Sequence, residues 1–256
     1  MGITKLAIKV AAPIPKIESF DRFLFVGPHP DDIEMASGAT VSKLVSEGKT
    51  VKFLICIDGR YGTSNRSDLT PEDLITIRKE ESIKSAAALG VTDVDFLGLC
   101  DGGFYEFSDL LNGIAKTVGE FKPDVIFCPD PDVTSECHID HLNVGRASKQ
   151  IACFAPYKYI MERHGAESAP VKAVAFYYTA KPNAFVKTAG HLQKQLDALF
   201  KSHVSQFPDG CSDISTFSLY LKLRSIDFGL RCFSGSAEGF RVLSQTHMHC
   251  LPEAGD

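Results

Sequence analysis

From residue 23 onward, short apolar runs bounded by turn residues alternate with longer segments whose apolar residues recur at helical spacing. This alternation restricts the fold more than any other feature of the chain. Strands that trade places with helices in this way form βαβ units, in which helices cover both faces of a mostly parallel sheet. "FLFVG" (23–27) reads as a strand, 34–47 as a helix closed by Gly48, and "VKFLICI" (51–57) as the next strand. In "LTPEDL" the spacing predicts a helix start with Thr70 as N-cap, Pro71 in the first position and acids in the first turn; Gly90 closes that helix. "VDFLGL" (94–99), a helix over 107–120, "DVIFCPD" (124–130), a helix over 139–153, "VKAVAFYYT" (171–179) and a helix over 187–203 follow. The expected fold class is α/β, a Rossmann-like, mostly parallel sheet with helices on both faces and the site at the carboxyl ends of the strands. No repeat or low-complexity linker divides the chain, so residues 1–256 are read as one domain, with a less periodic C-terminal subregion from about Phe207.

Composition removes several function classes. At 256 residues and 44% hydrophobic content the chain can bury a sizeable core. Lys and Arg number 27 against 32 Asp and Glu, a net charge of −5, and no basic run is long enough to follow a phosphate backbone, so no nucleic-acid partner is expected. No segment approaches the ~18 consecutive apolar residues that cross a bilayer. The start, "MGITKLAIKVAAPIPKIESF", is interrupted by Lys and Pro, and the reading is a cytoplasmic protein without a membrane partner. None of the eight cysteines forms a CxxC pair and several sit in apolar runs, which fits reduced, buried thiols.

Two polar motifs follow predicted strands. "PHPDD" (28–32) offers His29, Asp31 and Asp32; "DPDVTSECHIDH" (130–141) offers His138, Asp140 and His141. A catalytic zinc takes three ligands of these types and keeps a fourth position for water. His29 and Asp32 can share one side of a tight turn, which leaves Asp31 as a proton acceptor that need not touch the ion. Each piece alone has a plainer reading: adjacent aspartates after a strand can be a helix N-cap and a dipole-favoured acid, and the two histidines can be surface or core residues. Together, three or four ligand types at strand ends with a spare carboxylate point to metal-assisted hydrolysis. A set of two imidazoles and one carboxylate takes zinc, and also iron(II), cobalt or nickel.

At these residues the chain resembles the LmbE-like, or PIG-L-like, zinc-dependent N-deacetylases. The family's HPDDE motif stands here as "PHPDDIE", with Ile33 before Glu34, and its HPDH motif as "HIDH", with Ile139 in place of Pro. The likeness continues through Asp58–Gly59, 78–91, "FLGLCDG" (96–102), "KSHVSQF" (201–207) and "SAEGFRV" (236–242). Carried over residue by residue, it implies that His29, Asp32 and His141 bind Zn2+ and that Asp31 is the general base. It further implies that His138 stabilises the oxyanion or protonates the leaving amine, and that Asp140 orients His138 and favours its charged form. Arg78 and Asp101 match positions that bind the sugar. The implied activity is removal of the acetyl group from an N-acetylglucosamine-containing sugar or conjugate, a small-molecule substrate. A larger amide of a sugar–thiol conjugate, or a binding module without hydrolysis, are the alternatives. Members of the family are often homo-oligomers.

Other polar features are weighed separately. The loop "DGRYGTSNRSD" (58–68) lies on the expected site side and is either a rim or a solvated connection; Arg60 and Arg66 are left outside the site. His247, His249 and Cys250 in the tail, and Cys137 beside His138, are read as incidental to the metal site. His203 is either structural or near the pocket rim.

Overall fold

In a computed structural model, which describes residues 3–62, 68–249, 251 and 253, the chain forms the following elements. In order they are α1 (Ile3–Ala11), β1 (Arg22–Gly27), α2 (Asp32–Ser46), β2 (Thr50–Ile57), α3 (Pro71–Leu89), β3 (Asp93–Leu99), α4 (Phe107–Phe121), β4 (Val125–Pro129) and α5 (Ile139–Phe154). After them come α6 (Lys158–Arg163), β5 (Ala173–Tyr177), β6 (Ala184–Lys187), α7 (Leu192–Ser202), α8 (Ser212–Arg231), β7 (Ala237–Ser244) and α9 (Gln245–Met248).

The strands lie in the order β3-β2-β1-β4-β5-β7-β6. The first five are parallel; β7 runs antiparallel between β5 and β6. Alternation along β1 explains the two layers. Phe23 and Phe25 point to the face covered by Ile33, Val41 and Leu44 of α2 and by Ala86 and Leu89 of α3. Leu24 and Val26 point to the face covered by Leu110, Ile114 and Val118 of α4 and by Val144 and Ile151 of α5. Each of these side chains is almost wholly removed from water, and burial of one is worth ~1.5–3 kcal/mol.

Local signals set the helix ends. Thr70 accepts from the Asp73 amide while Asp73 bonds back to the Thr70 amide, and Gly90 adopts φ 90° at the C-cap, as the sequence predicts. The predicted helix over 187–203 is shorter at its start: residues 184–187 are strand β6, and α7 opens at Leu192. The segment beyond Phe207 is not a separate appendage, because β7 enters the main sheet beside β5. Among the described residues no helix is long and apolar enough to cross a membrane. Cys56, Cys100, Cys128, Cys137, Cys153, Cys211 and Cys232 are free thiols; Cys250 and Arg66 lie outside the described residues.

Strand order reverses at β1, with β2 on one side and β4 on the other. Loops leaving the carboxyl ends of those two strands therefore diverge and leave a crevice between them. The loop after β1 carries residues 28–31 and the loop after β4 carries 130–138, so topology alone brings the two polar motifs together.

Candidate active site

His29 stands at the centre. Its Nδ1 lies 3.2 Å from Asp32 Oδ2, and its Nε2 lies 3.1 Å from Asp140 Oδ2 and 3.3 Å from Asp101 Oδ1. The His29 amide also donates to Asp32 Oδ2 at 2.9 Å, which closes the turn between them. Burial disfavours a charged imidazole, yet the hydrogen bonds to Asp101, Asp140 and Asp32 outweigh it and hold the His29 pKa well above its ordinary value.

His141 arrives from the first turn of α5. Its Nε2 is 3.3 Å from Asp32 Oδ2, its ring centroid is 5.4 Å from that of His29, and its Nδ1 is fixed by Glu136 Oε2 at 3.1 Å. Glu136 also accepts from the His138 amide at 2.8 Å. One carboxylate thus aims His141 and shapes the loop that carries His138. Tyr178, at φ 53°, stacks on His141 with centroids 5.8 Å apart and places its hydroxyl 3.2 Å from Asp32 Oδ1. Glu136 and Tyr178 were missed by the sequence reading. The first sits inside the second motif, and the second lies near the carboxyl end of a predicted strand, where site residues collect.

Asp31 occupies the N-cap position of α2 but makes no capping bond with its side chain, and its backbone is held at φ 106°. The plain reading of this residue as a helix cap therefore fails. Burial pushes its pKa up to about 6; Arg78 opposes that rise and the neighbouring Asp32 adds to it. Arg78 is 3% exposed and donates to the carbonyls of Pro30 at 2.7 Å and Gly59 at 2.9 Å, and to Asp31 Oδ2 at 3.3 Å. Gly59, at φ 69°, is required here, because a Cβ at that position would fall on the Arg78 guanidinium. Arg78 is committed to the chain's own atoms and holds Asp31. Asp101 is likewise inward, accepting from the Tyr61 amide at 3.1 Å as well as facing His29.

His138 is the half-exposed member. Its Nδ1 accepts the Asp140 amide at 3.3 Å, which places the proton of the neutral ring on Nε2. Burial, then the neighbouring His29 and His141, lower its pKa. Asp140 favours the charged form of His138, as the resemblance implies, but does not offset its burial; its Oδ2 is 3.8 Å from His138 Nδ1, farther than from His29 Nε2, and it accepts the Gly102 amide at 2.8 Å. The carboxylate expected behind His138 serves His29 as well, and at the shorter distance.

His29, Asp32 and His141 offer ligand atoms within 4.8 Å of one another, and so do His29, Asp101, His138 and Asp140. Three carboxylates around one imidazole form a cage that favours a cation, and the buried Asp140 Oδ1 has no hydrogen-bond partner. The donor set fits one divalent ion. Outward from His141 a cleft of about 410 Å³ opens between Tyr178, Thr179, Glu136, Tyr220 and Arg224, a size that suits a small ligand.

The remaining polar features lie elsewhere. His203 is buried, with Nε2 3.4 Å from Glu34 Oε1. His247 bonds Ser244 and places Nε2 2.9 Å from the Ala12 carbonyl, closing the tail onto the end of α1. Arg60 pairs with Asp58 at 2.6 Å.

Residues 24–152 match the family described as PIG-L, GlcNAc-PI de-N-acetylase. The chain is similar to the diacetylchitobiose deacetylase of Thermococcus kodakarensis, 29% identical over 255 residues, covering 98% of this chain and 93% of that protein. It is 26% identical over 218 residues to the 1D-myo-inositol 2-acetamido-2-deoxy-alpha-D-glucopyranoside deacetylase of Thermobispora bispora, covering 75% and 70%. Among solved structures it is similar to the N,N'-diacetylchitobiose deacetylase from Pyrococcus horikoshii complexed with its inhibitor MPG, with a TM-score of 0.83, 26% identity and coverage of 98% and 97%. The matched stretch runs from β1 through α5 and takes in both motifs and every residue that surrounds His29, and on this ground the chain belongs to the PIG-L family.

Proposed function

We propose that this protein is a metal-dependent N-deacetylase that hydrolyses the acetamide of an N-acetylglucosamine-containing sugar, releasing acetate and a free amine. The observation that carries the reading is the placement of Asp31, a carboxylate with a raised pKa held by Arg78 next to the His29–Asp32–His141 set. A site that only bound a metal or a sugar has no use for such a base. Similarity to the two sugar deacetylases supports the substrate class.

In this reading His29, Asp32 and His141 hold a divalent ion, zinc in the first instance. When bound, that ion supplies a Lewis acid that makes water more acidic and the acyl carbon more electrophilic. Asp31 takes a proton from water as its oxygen attacks the acetyl carbon; Arg78 keeps that carboxylate aimed and Glu136 keeps His141 aimed. His138, neutral with its proton on Nε2, donates to the oxygen that becomes negative. The carbon–nitrogen bond then breaks, the proton held by Asp31 passes to the departing nitrogen, and acetate leaves. Arg78 and Asp101 act as positioning groups for Asp31 and His29.

The test is a panel of N-acetylated sugars, from N-acetylglucosamine to N,N'-diacetylchitobiose and glucosaminyl conjugates, assayed for acetate and free amine with metal-stripped protein as control. Acetate and amine in equal amounts, from the metal-loaded protein only, are expected. Metal-dependent amine release without acetate would identify a larger amide as the substrate.

A further inference from the structure

The cleft beside His141 is walled in part by α8, a helix far from both polar motifs in the chain. Tyr220 and Arg224 stand one turn apart on that helix and line the cleft together with Ser135 and Glu136 of the loop after β4. Among the described residues that line it, Arg224 is the one lysine or arginine.

The other arginines near the site are engaged by the chain itself: Arg78 by two carbonyls and Asp31, Arg60 by Asp58, and Arg241 by Asp130 and Asp132. Arg224 is not. Its guanidinium carbon lies 5.1 Å from the ring centre of Phe228 and 5.9 Å from that of Tyr220, so two aromatic neighbours on its own helix steady the group. Contact with a ring face uses no N–H donor. Among the described residues Arg224 forms no hydrogen bond and no ion pair. The carboxylates close by are already occupied. Glu136 accepts the His138 amide and holds His141 Nδ1, and Glu238, which shares a small recess with Arg224, accepts the Ala39 and Thr40 amides at 3.3 and 2.7 Å. The Ser135 and Tyr220 hydroxyls, also on the cleft, have no hydrogen-bond partner among the described residues.

A steadied guanidinium with free N–H groups matches the paired oxygens of a carboxylate or a phosphate. The catalytic cluster beside it is rich in aspartates, so an acidic ligand group gains its attraction from Arg224 and not from that cluster. At about 410 Å³ the cleft has room for more of a substrate than the acetamide that reacts. We propose that Arg224, assisted by Tyr220 and Ser135, selects substrates in which the acetylated sugar is joined to an acidic group, a carboxylate or a phosphate, and binds that group in the part of the cleft walled by α8. The proposal rests on the deacetylase reading above and adds to it the charge of the substrate.

The test compares acetate release by the metal-loaded protein from three N-acetylglucosamine derivatives: the neutral methyl glycoside, the 1-phosphate, and the glycoside of a hydroxy acid. For at least one acidic compound kcat/KM is expected to exceed that of the methyl glycoside by roughly 10–100-fold, mainly through KM, and the preferred compound tells phosphate from carboxylate. Arg224→Gln is expected to bring the acidic-to-neutral ratio to about one, Arg224→Glu to take it below one, and Arg224→Lys to keep part of it. In the wild type the ratio is expected to shrink as NaCl rises from about 0.05 to about 0.5 M. If Arg224 only packed against Tyr220 and Phe228, its variants would weaken all three compounds alike and leave the ratio in place. That result, or a wild-type ratio near one, overturns the proposal. Calorimetric titration of the same compounds into metal-loaded Asp31→Asn protein reads the preference without turnover. Absence of acetate from all three therefore counts against the deacetylase reading, whereas equal Kd values for acidic and neutral compounds count against Arg224.

Discussion

In the proposed reaction Asp31 is the base, and its setting suits that role. A non-glycine residue at positive φ is strained, and here the strain turns a carboxylate away from the helix it would otherwise cap and toward Arg78 and the cluster around His29. Burial raises its affinity for a proton to a level useful near neutral pH. Asp31→Asn is expected to lower kcat by about 10²–10⁴-fold while metal content, measured by elemental analysis, stays at the wild-type level. A near-normal rate with the ion in place would remove Asp31 from the role of base. Arg78 supports it from beneath with three bonds to the chain. Arg78→Ala leaves two buried carbonyls and Asp31 without their donor, and is expected to cost about 2–4 kcal/mol in urea unfolding as well as most of kcat.

At the scale of elements, the site rests on contacts that tie distant strands and helices together. Arg241 of β7 donates to Asp130 Oδ2 at 2.9 Å and Asp132 Oδ2 at 2.7 Å, and pairs with Asp130 Oδ1; Thr179 completes Asp130 at 2.6 Å. This clamp anchors the start of the loop that ends in His138. Arg241→Met would strand a buried Asp130 carboxylate, and a loss of about 3–5 kcal/mol in unfolding free energy is expected. His203, at the end of α7, faces Glu34 of α2 in the interior, and despite burial its pKa is raised by Glu34 and then Asp31. Above the unfolded value of about 6.5 the folded chain holds more protons than the unfolded one, so this contribution is complete below pH 6.5 and fades as pH rises through the folded value. Thermal midpoints should therefore fall across that window, and His203→Gln should flatten the fall.

The same elements show what could be read in advance. Strands β1 to β4 and helix α5 sit within a residue or two of their predicted bounds, because buried parallel strands are continuous apolar runs and their helices have clear caps. Strand β7 was not recognised: it carries Glu238 and Arg241, polar side chains buried only because the Ala39 and Thr40 amides and Asp130 partner them from far along the chain. Helix α8 was missed for a related reason, since Leu219, Leu223, Ile226 and Leu230 on one side and Leu221 and Phe228 on the other blur its period. His29, Asp32 and His141 were legible as ligand types at strand ends. That Asp140 lies nearer to His29 than to His138 depends on a fraction of an ångström that no spacing conveys.

For the whole molecule, the crevice at the strand-order reversal gathers Asp32, Asp101 and Asp140 around the three imidazoles of His29, His138 and His141, and an ion that binds the folded chain alone should stabilise it. Chelation is expected to lower the thermal midpoint of the wild type, by an amount equivalent to about 4 kcal/mol for an ion present at a thousand times its Kd, and to leave His141→Ala unmoved. The most direct measurement is titration of metal-stripped protein with Zn2+ or Fe2+ while acetate release from N,N'-diacetylchitobiose is followed. A rate that climbs from background to a plateau at one ion per chain, and that His141→Ala fails to recover, is the predicted result. Full acetate release by the stripped protein would contradict it.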